Sequence, residues 1–314
     1  MKNTPINTNN CSNNINLFSS ARNAFKFLLQ KLNETGNRSI LLPAYIGYTD
    51  REGSGVFDPV SSLRLMYDFY EVDEKLSVNV NHLENKLRKK EVDMLLIIHY
   101  FGFCQNNMSE IKRLCIKYDV LLIEDCAHTP QSTTSHGKLG DIGDFSFFSI
   151  HKYYPTIDGG ILKVNNDDFS YLTDKLTASL ELPHAETLQT LISSNVEEIK
   201  ERRRRNYLYL DKFIGEIPGI KKLFNDLPEG VSPHNYPLIV ENDLRELLYF
   251  DLIKNGVPAI ALYYRMIELI NEGCFEKSLA LSSSILSLPI RQDINLDDLE
   301  YIIDNLKNYF KVDL

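Results

Sequence analysis

The chain has 314 residues, 43% of them hydrophobic and 25% charged, a balance that suits a soluble globular protein with ample length for a buried core. Its 34 basic and 43 acidic residues leave a net charge of -9, which speaks against nucleic acid or an anionic membrane as a partner. No apolar run approaches the roughly 18 residues that span a bilayer.

The start, MKNTPINTNNCSNNIN, is polar and Asn-rich, so residues 1–15 read as a lead segment and not as a signal peptide. Cys11, Cys104, Cys115, Cys126 and Cys274 are scattered without a CxxC pair, which predicts reduced cytoplasmic thiols, no disulfide framework and no metal site. A helix follows, with Ser19 or Ser20 as N-cap and Ala24, Phe25, Leu28, Leu29 and Leu32 on one broad apolar face. Its small first residues can present backbone N–H groups to an anion, although an ordinary capped helix has the same pattern. Ser39 to Leu42 reads as a strand stopped by Pro43, and the next segment, up to Ser62, as a loop carrying Tyr45 and Tyr48. Strands are predicted over 65–70, 92–100 and 120–125, with amphipathic helices over 78–91 and 109–118 between them.

Alternating helices and continuous apolar strands predict right-handed βαβ units and a largely parallel sheet, with ligands at the carboxyl ends of its strands. The region from 167 to 212 reads as helical, and its Arg202-Arg203-Arg204-Arg205 run as a solvated or interface face. GEIPG (215–219) punctuates the chain. The expected division is therefore a large domain over 1–213 and a small α+β domain over 214–314 with strands at 236–240 and 285–288.

The chemistry concentrates between Val120 and Val164. An apolar strand ends in Glu124-Asp125, His128 follows three residues later, and Lys152 stands among hydroxyls and aromatics before Asp158-Gly159-Gly160. Glycine-rich phosphate loops, a G-x-S-x-G elbow and metal-ligand spacings are all missing. Pyridoxal phosphate chemistry uses this set: a lysine amine for the Schiff base and a carboxylate to keep the pyridine nitrogen protonated. A loop-capping Asp125 and a surface Lys152 account for the same residues, because strand-end acids are common in α/β folds.

The motifs SSARNAF, ILLPAY, HYFG, LIEDCAH and GDIGDFSFFSIHKYYPTIDGG, with a weaker SILSLPIRQDI near the C-terminus, resemble the DegT/StrS-type sugar aminotransferases. The resemblance implies an α/β fold-type-I pyridoxal-phosphate transferase, with a mostly parallel seven-stranded sheet between helices and a smaller α+β C-terminal domain. It makes Lys152 the Schiff-base lysine and proton shuttle, Asp125 the partner of the pyridinium nitrogen, and His128 a neighbour of the ring hydroxyl. Arg22, Asn23 and Ser149 become the phosphate seat, with Ser146 as the alternative serine, and Tyr48 or Tyr45 the ring-stacking aromatic. The implied reaction moves an amino group from an amino acid, usually glutamate, to a keto-sugar, mostly nucleotide-linked, in a homodimer whose sites the partner subunit completes.

The chain departs from the resemblance after Lys152. Tyr153-Tyr154-Pro155 follows the lysine, and no GYNYRM-like segment occurs between Asn165 and Arg205, which puts the acceptor pocket and intersubunit contacts in question. The Arg51–Pro59 stretch offers polar and turn residues for a different acceptor. Two other readings stand beside the aminotransferase. In related sugar dehydratases histidine replaces the lysine, so the retained Lys152 opposes that reading while the adjacent His151 keeps it open. A non-catalytic relative would bind no cofactor.

Overall fold

Helices and apolar strands alternate from Ile15 to Val164 in the computed structural model, which describes residues 14–311 apart from 37, 52, 136, 175–180 and 271–274. Cys11, Cys274 and the first thirteen residues of the expected lead lie outside the described residues. In chain order the first elements are β1 (Ile15–Phe18), α1 (Ala21–Asn33), β2 (Ser39–Pro43), α2 (Phe57–Ser62), β3 (Met66–Tyr70), α3 (Val80–Arg88), β4 (Met94–Ile98), α4 (Met108–Tyr118) and β5 (Leu121–Asp125). A two-residue hairpin, β6 (Thr133–Thr134) and β7 (Gly137–Lys138), precedes β8 (Phe145–Ser149) and β9 (Gly160–Val164).

These strands form one seven-stranded sheet in the order β1-β9-β8-β5-β4-β2-β3. From β3 to β8 every pairing is parallel, whereas β9 runs antiparallel to both β8 and β1. Every residue of β2, β4 and β8 is buried, as central strands covered on both faces must be. Three of these helices begin on side-chain caps: Ser20 accepts from Asn23 N–H in α1, Asn79 from His82 N–H in α3 and Asn107 from Glu110 N–H in α4. Each such cap stabilises its helix by about 1 kcal/mol.

The chain continues through α5 (Tyr171–Asp174), α6 (Ala185–Ser193), α7 (Val196–Ile214), β10 (Ile220–Lys222), β11 (Tyr236–Val240), α8 (Arg245–Lys254), α9 (Glu276–Ser284), β12 (Ile285–Leu288) and α10 (Leu296–Lys311). β10, β11 and β12 make a second, antiparallel sheet in that order. One apolar cluster unites both sheets, and the stacked rings of Phe103 and Phe224, 4.2 Å apart, are part of the seam.

Of the differences from the sequence-based expectation, three involve larger elements. Residues 15–18 form strand β1 rather than the end of a lead or the approach to a helix, because antiparallel β9 supplies a partner far along the chain. The stretch expected as loop contains helix α2, with Pro59 in its first turns where a missing N–H is tolerated. Finally, α9 is a helix that had not been anticipated.

Candidate active site

The carboxyl ends of β4, β5 and β8 open into a cavity of about 970 Å³, lined there by Ile98, Asp125, Phe147 and Ser149. The volume falls near the top of the range of about 300–1,000 Å³ usual for ligand pockets. Lys152, His128, residues 20–23 of α1 and Tyr48 line it as well. Thus Arg22, Asn23, Tyr48, Asp125, His128, Ser149 and Lys152 all border one space, although more than a hundred residues separate the first pair from the last.

Strand alternation decides which acid faces the cavity. Asp125 does, and it is 5% exposed. Its Oδ1 accepts from Ala127 N–H at 2.9 Å. Burial raises the Asp125 pKa, and the opposing influences of the Ala127 N–H, Lys152 and His99 are smaller. Glu124 takes the other direction. Its carboxylate accepts from the N–H groups of Gly140, Ile142 and Gly143 and pairs with His99 Nε2 at 2.8 Å. His99, Glu124 and Cys126 bring donor atoms within 4.8 Å of one another. The Glu124 oxygens are already used to clamp the 140–143 loop, so this cluster reads as structural.

One hydrogen bond sets the tautomer of His128. Phe101 N–H donates to Nδ1 at 3.3 Å, so the ring proton belongs on Nε2, which lies 3.1 Å from Lys152 Nζ. The contact sets the lysine amine against the edge of the imidazole, at hydrogen-bond distance. Burial, with the Lys152 and His234 charges behind it, holds the His128 pKa well below its usual value, consistent with a neutral ring.

The first turn of α1 reaches the same place through β9. Gly160 pairs with Ser149 across β8, and a Cβ on Gly160 would lie 2.1 Å from the Ser20 carbonyl carbon. Only glycine lets the strand and the helix start approach so closely. Gly159 N–H donates to Ser19 O at 2.7 Å, and Asp158 fixes the turn by accepting from His184 N–H and the Thr187 hydroxyl. Ser149 is thereby set beside the α1 N-terminus, where backbone N–H groups favour an anion. The Glu181 carboxylate lies nearby, accepting from the Asn23 side chain and the Ser19 hydroxyl.

Of the paired alternatives, Ser149 lines the cavity, whereas Ser146, on the other face of β8, donates its hydroxyl to Gly140 O at 2.8 Å. Tyr48 borders the cavity with the Arg265 guanidinium 5.9 Å from its ring. Tyr45 is core, donating to Leu262 O at 2.9 Å and packed edge-on against Tyr100 and Tyr263.

The arginine run requires a correction. Arg203 is 1% exposed, not solvated. Its guanidinium donates to the carbonyls of Lys152, Tyr153 and His234 and to Gln292 Oε1, and lies 4.5 Å from the Tyr153 ring. It shares a buried helix face with Ile199, Asn206, Tyr207 and Leu210, a phase that the four-arginine run conceals. His234 was also unanticipated. Its ring stacks on His128 at 4.7 Å and 15°, and no local motif marks it. The far wall is formed by Gly53, Gly55 and Val56, within the Arg51–Pro59 stretch expected to offer residues to an acceptor, and by α8 and residues 259–264, which no local motif marks and where Tyr263 adopts a left-handed φ of 55°.

A model of the DegT/DnrJ/EryC1/StrS aminotransferase family matches residues 18–179 and 188–307. The UDP-4-amino-4,6-dideoxy-N-acetyl-beta-L-altrosamine transaminase of Campylobacter jejuni is 24% identical over 270 residues, covering 76% of this chain and 72% of that protein. The dTDP-4-amino-4,6-dideoxy-D-glucose transaminase of Shigella dysenteriae is 24% identical over 250 residues, covering 69% and 66%. Among solved structures, Helicobacter pylori PseC, an aminotransferase involved in the biosynthesis of pseudoaminic acid, superposes with a TM-score of 0.78 at 18% identity, over 95% of this chain and 87% of that one. The pyridoxal-phosphate form of the putative sugar aminotransferase Spr1654 from Streptococcus pneumoniae gives 0.80 at 16% identity, over 96% and 88%.

The fold is thus that of the fold-type-I aminotransferases. The cavity fits pyridoxal phosphate: a buried carboxylate with a single N–H partner, a lysine amine facing an imidazole N–H, and a helix N-terminus beside a buried serine hydroxyl. With its model matched over most of the chain, this protein belongs to the DegT/DnrJ/EryC1/StrS aminotransferase family and is a pyridoxal-phosphate-dependent aminotransferase.

Proposed function

We propose that this enzyme moves an amino group from an amino acid, glutamate by family resemblance, to the keto group of a nucleotide-linked sugar, in the cytoplasm and as a homodimer. The 3.1 Å contact between Lys152 Nζ and His128 Nε2, in a cavity that also holds Asp125, carries the reading. The relatives support the substrate class, since both names above describe transaminases of nucleotide-linked 4-amino-4,6-dideoxy sugars. In this reading residues 1–213 supply the cofactor cradle, and 214–314 cover it.

Bound pyridoxal phosphate supplies a carbonyl that takes up the amine and a ring that delocalises electrons. With it bound, Lys152 would hold the carbonyl through Nζ and carry protons on that atom. His128, whose Nε2 lies 3.1 Å from Nζ, would orient the lysine amine. Asp125 would pair with the ring nitrogen and favour a proton there. Ser149, Arg22 and Asn23, with the first N–H groups of α1, would seat the phosphate, and Tyr48 would stack at the cavity rim. The retained Lys152 opposes a dehydratase.

The direct test supplies the purified protein with glutamate and a nucleoside-diphosphate 4-keto-6-deoxyhexose. Mass spectrometry should detect the amino sugar, with an equal amount of 2-oxoglutarate. Return of every such keto-sugar unchanged, whatever the donor, would overturn the substrate assignment. Sedimentation of the loaded enzyme at the mass of two chains checks the dimer.

A further inference from the structure

The far wall of the cavity carries a cation that no carboxylate answers. Arg245, the first residue of α8, is 8% exposed and lines the cavity. Its Nε donates to Ser283 O at 3.1 Å and Nη2 to Ser282 O at 3.3 Å, at the end of α9. Among the described residues Nη1 has no hydrogen-bond partner, and no ion pair involves this guanidinium. Arg203 provides the contrast, since all three of its nitrogens donate to protein oxygens. Burying a charge is unfavourable unless it is paired, so a buried arginine with an unused nitrogen on a cavity wall is suited to receive an anion.

Its surroundings narrow the anion. Glu246, Tyr249 and Phe250, one, four and five residues on, bring the same helix face to the cavity, and Tyr264 lines it from the 259–264 segment. The Tyr249 and Phe250 rings meet edge-on at 5.3 Å and 67°. Phe250 is 59% and Tyr264 53% exposed, so these rings face open space. A cation beside exposed aromatic rings matches a nucleoside diphosphate, with stacking for the base and charge-assisted hydrogen bonds for the phosphates. A dicarboxylate amino donor would satisfy the arginine and leave the rings unused. The Glu246 carboxylate can accept from sugar hydroxyls but repels phosphate, which keeps the diphosphate on the Arg245 side.

We propose that Arg245 binds the diphosphate of the acceptor sugar nucleotide while the rings of Tyr249 and Phe250 hold its base. The proposal rests on the nucleotide-sugar reading above. It makes Arg245 a specificity residue for the second half of the reaction only.

Calorimetric titration of the cofactor-loaded enzyme with UDP, GDP, dTDP, their nucleosides and glutarate tests it. One diphosphate should bind wild type at least tenfold more tightly than its nucleoside. Arg245→Gln should lose most of that difference, Arg245→Lys should recover part of it, and binding of nucleoside and glutarate should stay within about twofold. The glutamate half-reaction, read from the cofactor spectrum, should be unaltered in both variants. Because Arg245 also holds the end of α9, exposed Phe250→Ala is a second probe, expected to weaken nucleoside and diphosphate alike by at least fivefold. Undiminished diphosphate binding in Arg245→Gln, or loss of glutarate binding in its place, would overturn the assignment of Arg245. Unchanged nucleoside binding in Phe250→Ala would overturn the base site. A wild type that binds none of the three diphosphates would instead remove the nucleotide-sugar reading on which the proposal stands.

Discussion

Lys152 Nζ lies 3.1 Å from Nε2 of His128, and the other nitrogen of that imidazole accepts from the backbone N–H of Phe101. The pair thus couples the tautomer of a buried ring to the protonation of a lysine exposed to the cavity. His128→Phe keeps a ring against Phe101 and His234 but removes the Nε2–H donor. We expect the cofactor to remain bound and the glutamate half-reaction to slow by about 10- to 100-fold, within the span usual for a proton-transfer group. Stopped-flow absorbance measures it.

Asp125 is predicted to trade stability for function. Its pKa is raised in the protein by burial, so it supports folding below its unfolded value of 3.8 and ceases to do so as pH rises through the folded value. At neutral pH the cofactor-free Asp125→Asn protein should therefore melt a few degrees above cofactor-free wild type, as about 1 kcal/mol would produce. With cofactor present the order should reverse, because removing one partner of a buried charge pair weakens binding by about 2–5 kcal/mol. Thermal melts with and without pyridoxal phosphate report both signs.

The His99–Glu124 pair gives a pH-dependent prediction of opposite sense. Burial disfavours the His99 charge, but the neighbouring Cys104 and Glu124 outweigh it and raise the pKa from 6.5 to about 10. A raised folded pKa means that the His99 contribution is complete below pH 6.5 and is lost as pH rises toward 10. Glu124→Gln should destabilise the fold by about 3–5 kcal/mol near pH 6.5, with the deficit shrinking toward pH 10. Urea denaturation of both proteins across that window tests the trend. A constant deficit would show that the 140–143 loop bonds, rather than the ion pair, dominate.

Gly160→Ala places a Cβ 2.1 Å from the Ser20 carbonyl carbon and 2.4 Å from Ala21 N. Backbone must move, so we expect a loss of about 1–3 kcal/mol and at least tenfold weaker cofactor binding as the α1 turn separates from Ser149. Gly55→Ala, with nothing within 4 Å, should leave the melting temperature unchanged.

Much of the parallel sheet was legible because continuous apolar strands and capped, amphipathic helices announce themselves locally. Asp125, His128, Ser149 and Lys152 were legible for a similar reason, lying within 28 residues of one another on two neighbouring strands and their exits. Arg22 and Asn23 were legible from that distance chiefly through the family resemblance, and the other parts that the chain brings in from afar carry no local signal. β1 is four residues long and finds its partner in β9. His234 and Arg245 reach the site only once the second sheet has folded against the first. Arg203 shows a different failure: helix phase buries one member of the run, while exposed Arg202 pairs with Glu198.

The most direct test of the central claim adds glutamate to the cofactor-loaded protein and follows its absorbance. Wild type should be yellow, and glutamate should bleach the visible band as the cofactor takes up the amine, with 2-oxoglutarate released in equal amount. Lys152→Ala should lack the lysine-bound band and convert at least about 10²-fold more slowly. A wild type that stays colourless with added pyridoxal phosphate, or a Lys152→Ala protein that turns over as fast as wild type, would contradict the account.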